Sequence, residues 1–523
     1  MITELCSKSA TELSRLLAAG EISSEEATKA HLERIDAVDR GVRAFTTVFR
    51  YEALAAARKS DEERQRGEVR GPLHGLPVTV KESLDMAGFA STLGAPSRRN
   101  VRATEDAGIT QMLREAGAVI LGRTNVSQLM LYNEARNPIF GQTVNPWSLD
   151  HSPGGSSGGE SAAIAAGMSP LGIGTDIGGS IRVPAGSTGI AGLKPTLDRW
   201  TNKGSNTALL GQEVIRSQLG PMARSAHDLA LAMRALDPAR MTALDPRVAP
   251  VPFADPALHA PSSLRVGVYT DDGLVPSSAS VVRAVNEAAA ALRSQGATVI
   301  DFTPPGMTEA AYDYFGAMSA DGGAAAARVL AGGAVDPSLQ PLLLLARVPP
   351  PVRRAAARLA ELAGEHRLSR FLAAVGEKSV TEIWAITARL RGLRALILDA
   401  MAEAGIDLLL CPVYATPAIP HGVSKDFTMG GTPSMLWNAV QFPAGVVPVT
   451  RVTRAETVRE SPRDRLEKRA AEVDAKSEGL PVGVQVVGRP WEEDRVLAAM
   501  IAIEDVVSKA PGFPQTPVRP RTG

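Results

Sequence analysis

The chain predicts an α/β fold in which helices cover a sheet, and three stretches carry that prediction. Gly75-Leu-Pro-Val-Thr-Val-Lys81 is a short apolar run of strand length, set in a region broken by Gly and Pro. Ala116-Gly-Ala-Val-Ile-Leu-Gly122 is a second such run, preceded by the helix-like Thr110 to Glu115. Ser277 to Ser294 is an amphipathic helical stretch followed by the strand-like Ala297 to Phe302. Strand and helix textures that alternate in this way build a sheet with helices packed on it.

Taken in order, the N-terminal part reads as helix. Ser9-Ala-Thr-Glu12 and Ser23-Ser-Glu-Glu26 both fit the capping box, in which a hydroxyl and a carboxylate satisfy orphan backbone N–H groups. Ala27, Leu32 and Ile35 fall on one face of the second helix. The texture turns to strands from about Gly71, and residues 150–195 hold the densest Gly/Ser content. Residues 320–402 are Ala-rich and mostly helical, broken by Pro349-Pro350-Pro351. Strand texture resumes at Ile406 to Val413, Val446 to Val452 and Leu480 to Gly488, while the highly charged Arg451 to Gly479 reads as an exposed excursion. No internal repeat or linker divides the chain. Residues 1–523 therefore read as one domain: helices over 1–70, a core over 71–225, a helical region over 320–402, and a C-terminal part of the core over 403–510.

Composition bounds the function. Hydrophobic residues make up 44% of the 523, charged residues 21% and aromatic residues 4%, which suits a large globular core. Lys plus Arg equals Asp plus Glu at 56 each, so no overall field would recruit nucleic acid or acidic lipid. The opening stretch is interrupted by Glu4, Lys8, Glu12 and Arg15 and does not read as a signal peptide. Nor does any run approach the roughly 18 apolar residues that a membrane span needs. The two cysteines, Cys6 and Cys411, make no disulfide framework and read as small buried hydrophobes. The expectation is a cytoplasmic globular protein.

Elimination narrows the chemistry. There is no H-E-x-x-H and no paired C-x-x-C, and the seven histidines are scattered, so neither a metal nor a cofactor is expected. Gly172-Ile-Gly-Thr-Asp-Ile-Gly178 misses the dinucleotide fingerprint by one residue in its last interval. What remains is His151-Ser-Pro-Gly-Gly-Ser-Ser-Gly-Gly-Glu160, a loop opening into an Ala-rich helix whose amides point at whatever sits at its N-terminus. Ser156 and Ser157 both satisfy the G-x-S-x-G of a nucleophile elbow, but an elbow needs a strand before it, and Asn145 to Pro153 is a poor one. A flexible linker is the plain alternative. Further on, Leu171-Gly-Ile-Gly-Thr-Asp-Ile-Gly-Gly-Ser180 feeds a small-residue strand into a Gly-Gly turn ending in serine. Backbone N–H groups can converge there beside a hydroxyl, as acyl transfer requires. Alone, the stretch reads equally as a structural glycine turn.

Together these segments resemble the amidase signature family, defined by a Gly-Gly-Ser-Ser-Gly-Gly loop followed by Gly-Thr-Asp-x-Gly-Gly-Ser-x-Arg-x-Pro. Both halves stand here, as Gly154 to Gly159 and Gly174 to Pro184. The likeness extends to Gly75 to Lys81, Gly122-Arg-Thr-Asn125 and Gly192-Leu-Lys-Pro-Thr196, and covers nearly the whole chain. It implies a single amidase domain with a mixed, twisted central sheet covered by helices on both faces. It implies a serine hydrolase of amide bonds in which Ser180 is the nucleophile, Ser156 the bridging serine after a cis Gly155–Ser156 bond, and Lys81 the base. The amides of Ile177, Gly178, Gly179 and Ser180 would form the oxyanion hole, with Asp176 and Arg182 supporting the turn. Glu82 departs from the Asp common in the family. A lysine base must be neutral, and burial at the end of an apolar strand lowers its pKa from about 10.4 by disfavouring the charged form.

Within the family the resemblance is strongest to fatty acid amide hydrolases, through Asn137 to Trp147, Phe442 to Val449 and Gly479 to Gln485. It places Met130 in the lining of a substrate site for hydrophobic acyl amides. Residues 341–375 correspond to a membrane-touching cap in those enzymes. Here Val352, Ala356, Leu359 and Ala363 share one helical face, with Arg353, Arg354, Arg358, Arg367 and Arg370 on or near the other side. An ordinary helix packed on its own core is the plainer reading. The implied partner is a small-molecule amide, with no nucleic acid, and with peripheral membrane contact and a homodimer both left open. The amidase subunit of a tRNA-dependent amidotransferase, an amidase for small or aryl amides, and a silent binding protein are the alternatives.

Overall fold

The apolar runs pair into one sheet of eleven strands. This computed structural model describes residues 4–520, so residues 1–3 and 521–523 of the expected domain lie outside the described residues. In chain order the strands are β1 (Phe45–Val48), β2 (Pro77–Lys81), β3 (Val119–Thr124), β4 (Leu171–Asp176), β5 (Ala191–Lys194) and β6 (Gln218–Ala223). They continue with β7 (Arg265–Val268), β8 (Thr298–Asp301), β9 (Leu408–Pro412), β10 (Ala444–Arg451) and β11 (Pro481–Gly488). Across the sheet they run β1-β3-β2-β4-β6-β5-β10-β11-β9-β7-β8. The pairing is mixed: β2 is parallel to β3 and β4, and β9 to β7, while β4, β6, β5, β10 and β11 are successively antiparallel.

Burial on both faces explains the near-continuous apolar runs. Along β9, Leu408 and Leu410 enter one core while Leu409 and Cys411 enter another. Val447 and Val449 of β10 likewise part from Ala444 and Val446. Each fully buried Val or Leu is worth about 1.5–3 kcal/mol of transfer free energy, so the two cores fix the register.

The helices that matter below are α1 (Ala10–Ala18), α2 (Ser24–Val42), α3 (Gly108–Glu115), α4 (Gly158–Ala165), α5 (Arg182–Thr188), α6 (Ala279–Ser294) and α7 (Met307–Met318). They continue with α8 (Gln340–Arg347), α9 (Pro350–Leu362), α10 (His366–Ala374), α11 (Val380–Glu403), α12 (Thr432–Ala439), α13 (Arg465–Asp474) and α14 (Glu493–Val507). Both expected capping boxes form, with Glu12 accepting from Ser9 N at 2.7 Å and Glu26 from Ser23 N at 2.8 Å. Helices α6 and α14 cover one face of the sheet; α5, α7 and α12 cover the other. Pro350 and Pro351 open α9, where a missing N–H costs nothing, so the proline run separates α8 from α9.

Two expectations are corrected. The charged stretch 451–479 is not simply an exposed excursion, because it folds α13 with Ala470 and Val473 buried. Two of its acids are internal too: Glu467 accepts from Arg463 and Arg367, and Asp474 from Ser278 and Arg459. The apolar stripe of α9 does not pack on a core of its own. Val352 is 57% and Leu359 68% exposed, whereas Arg353, Ala357 and Ala360 face inward. Arg353 donates to Val348 O from a buried position, Arg367 pairs with Asp464 and Glu467, and Arg370 lies over the Tyr312 ring. Arg353 and Arg367 therefore serve internal contacts instead of a basic outer face, while Arg370 stays exposed and pairs with Glu309. No helix among the described residues is long and apolar enough to cross a membrane.

Candidate active site

Lys81 ends β2 and is wholly buried. Its Nζ donates to Ser156 Oγ at 2.7 Å and to Thr175 Oγ1 at 2.8 Å. Burial pushes its pKa down to about 7, against the pull of Asp176, Glu160 and Glu82 in the other direction. Glu82 itself turns away, accepting from Thr92 Oγ1 at 2.7 Å and the Leu93 amide at 3.1 Å. Glutamate in place of aspartate thus anchors the 92–93 turn.

Ser156 follows a cis Gly155–Ser156 peptide in the loop that enters α4. The glycines of this loop answer to close approach: a Cβ on Gly155 would lie 2.6 Å from the Glu134 amide, and one on Gly159 2.3 Å from that of Asn125. The neighbouring Ser157 ties the loop to the second motif, its amide donating to Ser180 O at 3.2 Å.

Ser180 closes the turn after β4. Gly179 has φ +103°, and a Cβ there would meet Ser434 Cβ at 2.8 Å, so glycine is demanded twice over. Asp176 gathers the turn, accepting from the Gly179 amide at 2.8 Å, the Ile181 amide at 3.1 Å and Arg182 Nε at 2.9 Å. Burial opposes its ionisation, but the Arg182 guanidinium holds its carboxyl well below the usual carboxylate range. Arg182 in turn donates to Asn438 Oδ1 of α12 and Gln485 Oε1 of β11. The Gly179 amide is thus committed to Asp176, unlike the other three amides of the expected set, for which no bond to Asp176 forms.

The structure brings Lys81 and Ser156 into direct contact and sets Ser156 and Ser180 on one cavity, with no hydrogen bond joining the two serines. Met130, in the left-handed region at φ +60°, lines that cavity and a second one that also reaches Ser180. The second cavity is apolar, walled by Met130, Tyr314, Phe315, Leu342, Phe371 and Met435 among others. Ile177 and Gly178 line it beside Ser180, whereas Gly179 does not. The first cavity opens past Asn206, Gln212 and Arg216 and is more polar. Sequence reasoning gave no role to Thr175, although it sits inside the Gly-Thr-Asp motif, nor to Gln485, although it ends the matched Gly479 to Gln485 segment, and nothing local signalled Asn438.

Comparison with known proteins bears on the same residues. A family model described as Amidase matches residues 26–497. "Fatty-acid amide hydrolase 1" of Sus scrofa is 35% identical over 509 residues, covering 96% of this chain and 86% of that protein. "Amidase 1" of Gibberella moniliformis is 30% identical over 524 residues, covering 96% of this chain and 94% of that protein. A solved structure of "Fatty acid amide hydrolase" superposes with a TM-score of 0.84 at 30% identity, covering 98% of this chain and 86% of that one. The fold, the two linked motifs and these likenesses agree: the chain belongs to the amidase signature family and is an amide hydrolase.

Proposed function

We propose that this enzyme hydrolyses amides of long, apolar acyl chains, with Ser180 as nucleophile, Ser156 as proton bridge and Lys81 as base. The observation that carries the reading is the buried Lys81 Nζ at 2.7 Å from Ser156 Oγ, beside an apolar cavity that ends on Ser180. A lysine whose pKa has fallen to about 7 is substantially neutral at physiological pH and accepts a proton.

Neutral Lys81 takes the Ser156 proton as Ser156 takes that of Ser180, and Ser180 Oγ bonds to the carbonyl carbon. The oxyanion faces the amides of Ile177, Gly178 and Ser180, where a single donor is worth about 3–4 kcal/mol. The relay then reverses: the proton reaches the leaving nitrogen, the C–N bond breaks, and the amine departs. Water gives a proton to the same relay and attacks the acyl ester. The Ser180–acyl bond breaks, Ser180 regains its proton, and the carboxylic acid leaves.

The same reading extends to a membrane surface. Leu344, Leu359 and Leu362 are 67%, 68% and 85% exposed on α8 and α9, next to the helices that wall the acyl cavity. Apolar side chains so placed favour a peripheral seat on a bilayer, from which a hydrophobic amide would enter.

Hydrolysis of an amide series from acetamide to oleamide tests the substrate class, with Ser180→Ala as control. Preference for long chains and loss of activity in the variant are expected. A flat or short-chain preference would sink the fatty-amide reading, and an active Ser180→Ala would sink the mechanism. Turnover by the isolated chain also decides against an amidotransferase component that works only beside a partner.

A further inference from the structure

Glu160 is the one charged residue of the Gly/Ser loop, and the relay gives it no task. It sits in the first turn of α4 and is wholly buried. The strand beneath explains how it fits. Side chains alternate along β4, so Gly172 and Gly174 share a face and leave two notches in it. A Cβ on Gly174 would lie 3.0 Å from Ser157 Oγ. One on Gly172 would lie 2.5 Å from Glu160 Oε1 and 2.9 Å from Thr79 Oγ1. The Glu160 carboxyl therefore occupies the place of the missing Gly172 side chain. Thr79 pairs with Gly172 across β2 and β4, and Lys81 stands two residues further along the same face of β2. Glu160 thus lies directly behind the base.

Its burial does not suit an anion. Neither carboxyl oxygen closes a hydrogen bond, and the neighbouring Thr124 Oγ1 is unsatisfied as well. The hydroxyls of Thr124 and Thr79 and the Ile173 amide lie near without completing one. Lys81 is the charged group that acts on it, and Lys81 is itself under the influence of Asp176 and Glu82. An isolated carboxylate in such a site is costly enough that the group takes up a proton instead. Burial accordingly raises its pKa to about 8, against those weak contacts and Lys81.

We propose that Glu160 is held as a neutral carboxylic acid in the Gly172 notch, and that it is a positioning residue for Lys81. Neutral, it fills the space behind the base, excludes water from it, and supplies no negative charge to hold a proton on Lys81. Ionised, it would stabilise the ammonium form and take the base out of action. The inference rests on Lys81 being the base.

The pH profile of kcat/KM on a soluble amide tests this with two variants. Glu160→Gln keeps shape and neutrality, so the rising acid limb should stay within about 0.3 pH unit of the parent's. Glu160→Ala empties the notch and admits water to the lysine. Its acid limb should move up by about one unit, with activity at pH 7 down about fivefold, and the glutamine variant restores both. A merely structural role would lower stability or kcat without moving the limb. A limb that drops by a unit or more in Glu160→Gln would reveal an ionised partner and overturn the proposal, as would an unmoved limb in Glu160→Ala. Should Glu160→Ala fail to fold, Glu160→Gln decides the charge, read from the same limb and from loss of a protonated-carboxyl infrared band. Ser180→Ala, run in parallel, separates this outcome from failure of the catalytic reading: if it stays active, the relay itself is wrong.

Discussion

Lys81 Nζ lies 2.7 Å from Ser156 Oγ, and Thr175 holds the same nitrogen through its hydroxyl at 2.8 Å. The buried amine thus has its hydrogen-bond partners inside the protein. Its pKa of about 7 sets the pH dependence. A base must be deprotonated, so kcat/KM should rise through about pH 7 and fall about tenfold per unit below it. Lys81→Ala should remove the limb and lower kcat by about 10²–10⁴, the span typical of a lost general base. A parent profile flat from pH 5 to 9 would count against Lys81 as base.

The two serines should separate cleanly. Under the proposed mechanism Ser180→Ala deletes the attacking atom and should leave no acyl-enzyme detectable by mass spectrometry after mixing with substrate. Ser156→Ala keeps the nucleophile and breaks only the bridge to Lys81. It should still form acyl-enzyme, at a rate lowered by about 10²–10⁴. Equal loss of acylation in both would argue that Ser156 does more than carry protons.

Arg182 and Asp176 are both fully buried and joined through Nε at 2.9 Å. Arg182→Met should destabilise the protein by about 3–5 kcal/mol, because it strands a buried carboxylate. Thermal denaturation measures this, and a shift near zero would mean that Asp176 can find another partner. Asn438→Ala is the gentler probe. It leaves Arg182 one contact short and Asp176 two, and should lower kcat with little change in KM.

Each of the three expected catalytic residues stands in a local pattern, a strand ending in lysine, a Gly/Ser loop or a Gly-Gly-Ser turn, but it was the family resemblance that gave each its expected role. The contacts that fix them were not legible. Arg182 is held by Asn438 and Gln485, which stand 256 and 303 residues away from it in the chain; Asn438 carries no motif signal, and Gln485 ends a matched segment that gives no sign of its partner. Charge misled twice for one physical reason. Arg353 and Glu467 look solvated in a sequence, yet each has its partners within the fold, and pairing cannot be read from one residue's own neighbourhood. The stripe of α9 misled conversely, because an apolar face implies a partner without saying which. Gly172 was visible as part of a small-residue strand, but only the packed structure shows that Glu160 fills its place.

Gly179→Ala tests the turn at the nucleophile. Its φ of +103° disfavours any side chain, and the new Cβ would also sit 2.8 Å from both Ser434 Cβ and Val183 Cγ2. Activity should fall at least tenfold with a lowered Tm. Adding Ser434→Gly removes one clash and leaves the backbone conflict, so it should restore little. Full rescue would show that space, and not backbone conformation, imposes the glycine.

The exposed leucines of α8 and α9 give the membrane reading a test that spares the catalytic machinery. Leu342 and Leu343 line the apolar cavity at Ser180 and are unsuitable, since changing them alters the cavity itself. Leu344, Leu359 and Leu362 do not line it and are 67%, 68% and 85% exposed. Replacing all three by Ser removes apolar area worth about 1.5–3 kcal/mol per fully buried side chain if each enters a bilayer. Partitioning to liposomes should weaken by at least tenfold, measured by co-sedimentation. Turnover of a water-soluble short amide should stay within twofold, because no residue at Ser180 has changed, while oleamide presented in vesicles should be hydrolysed more slowly. Equal co-sedimentation of parent and variant would mean that this apolar face is covered by something other than lipid.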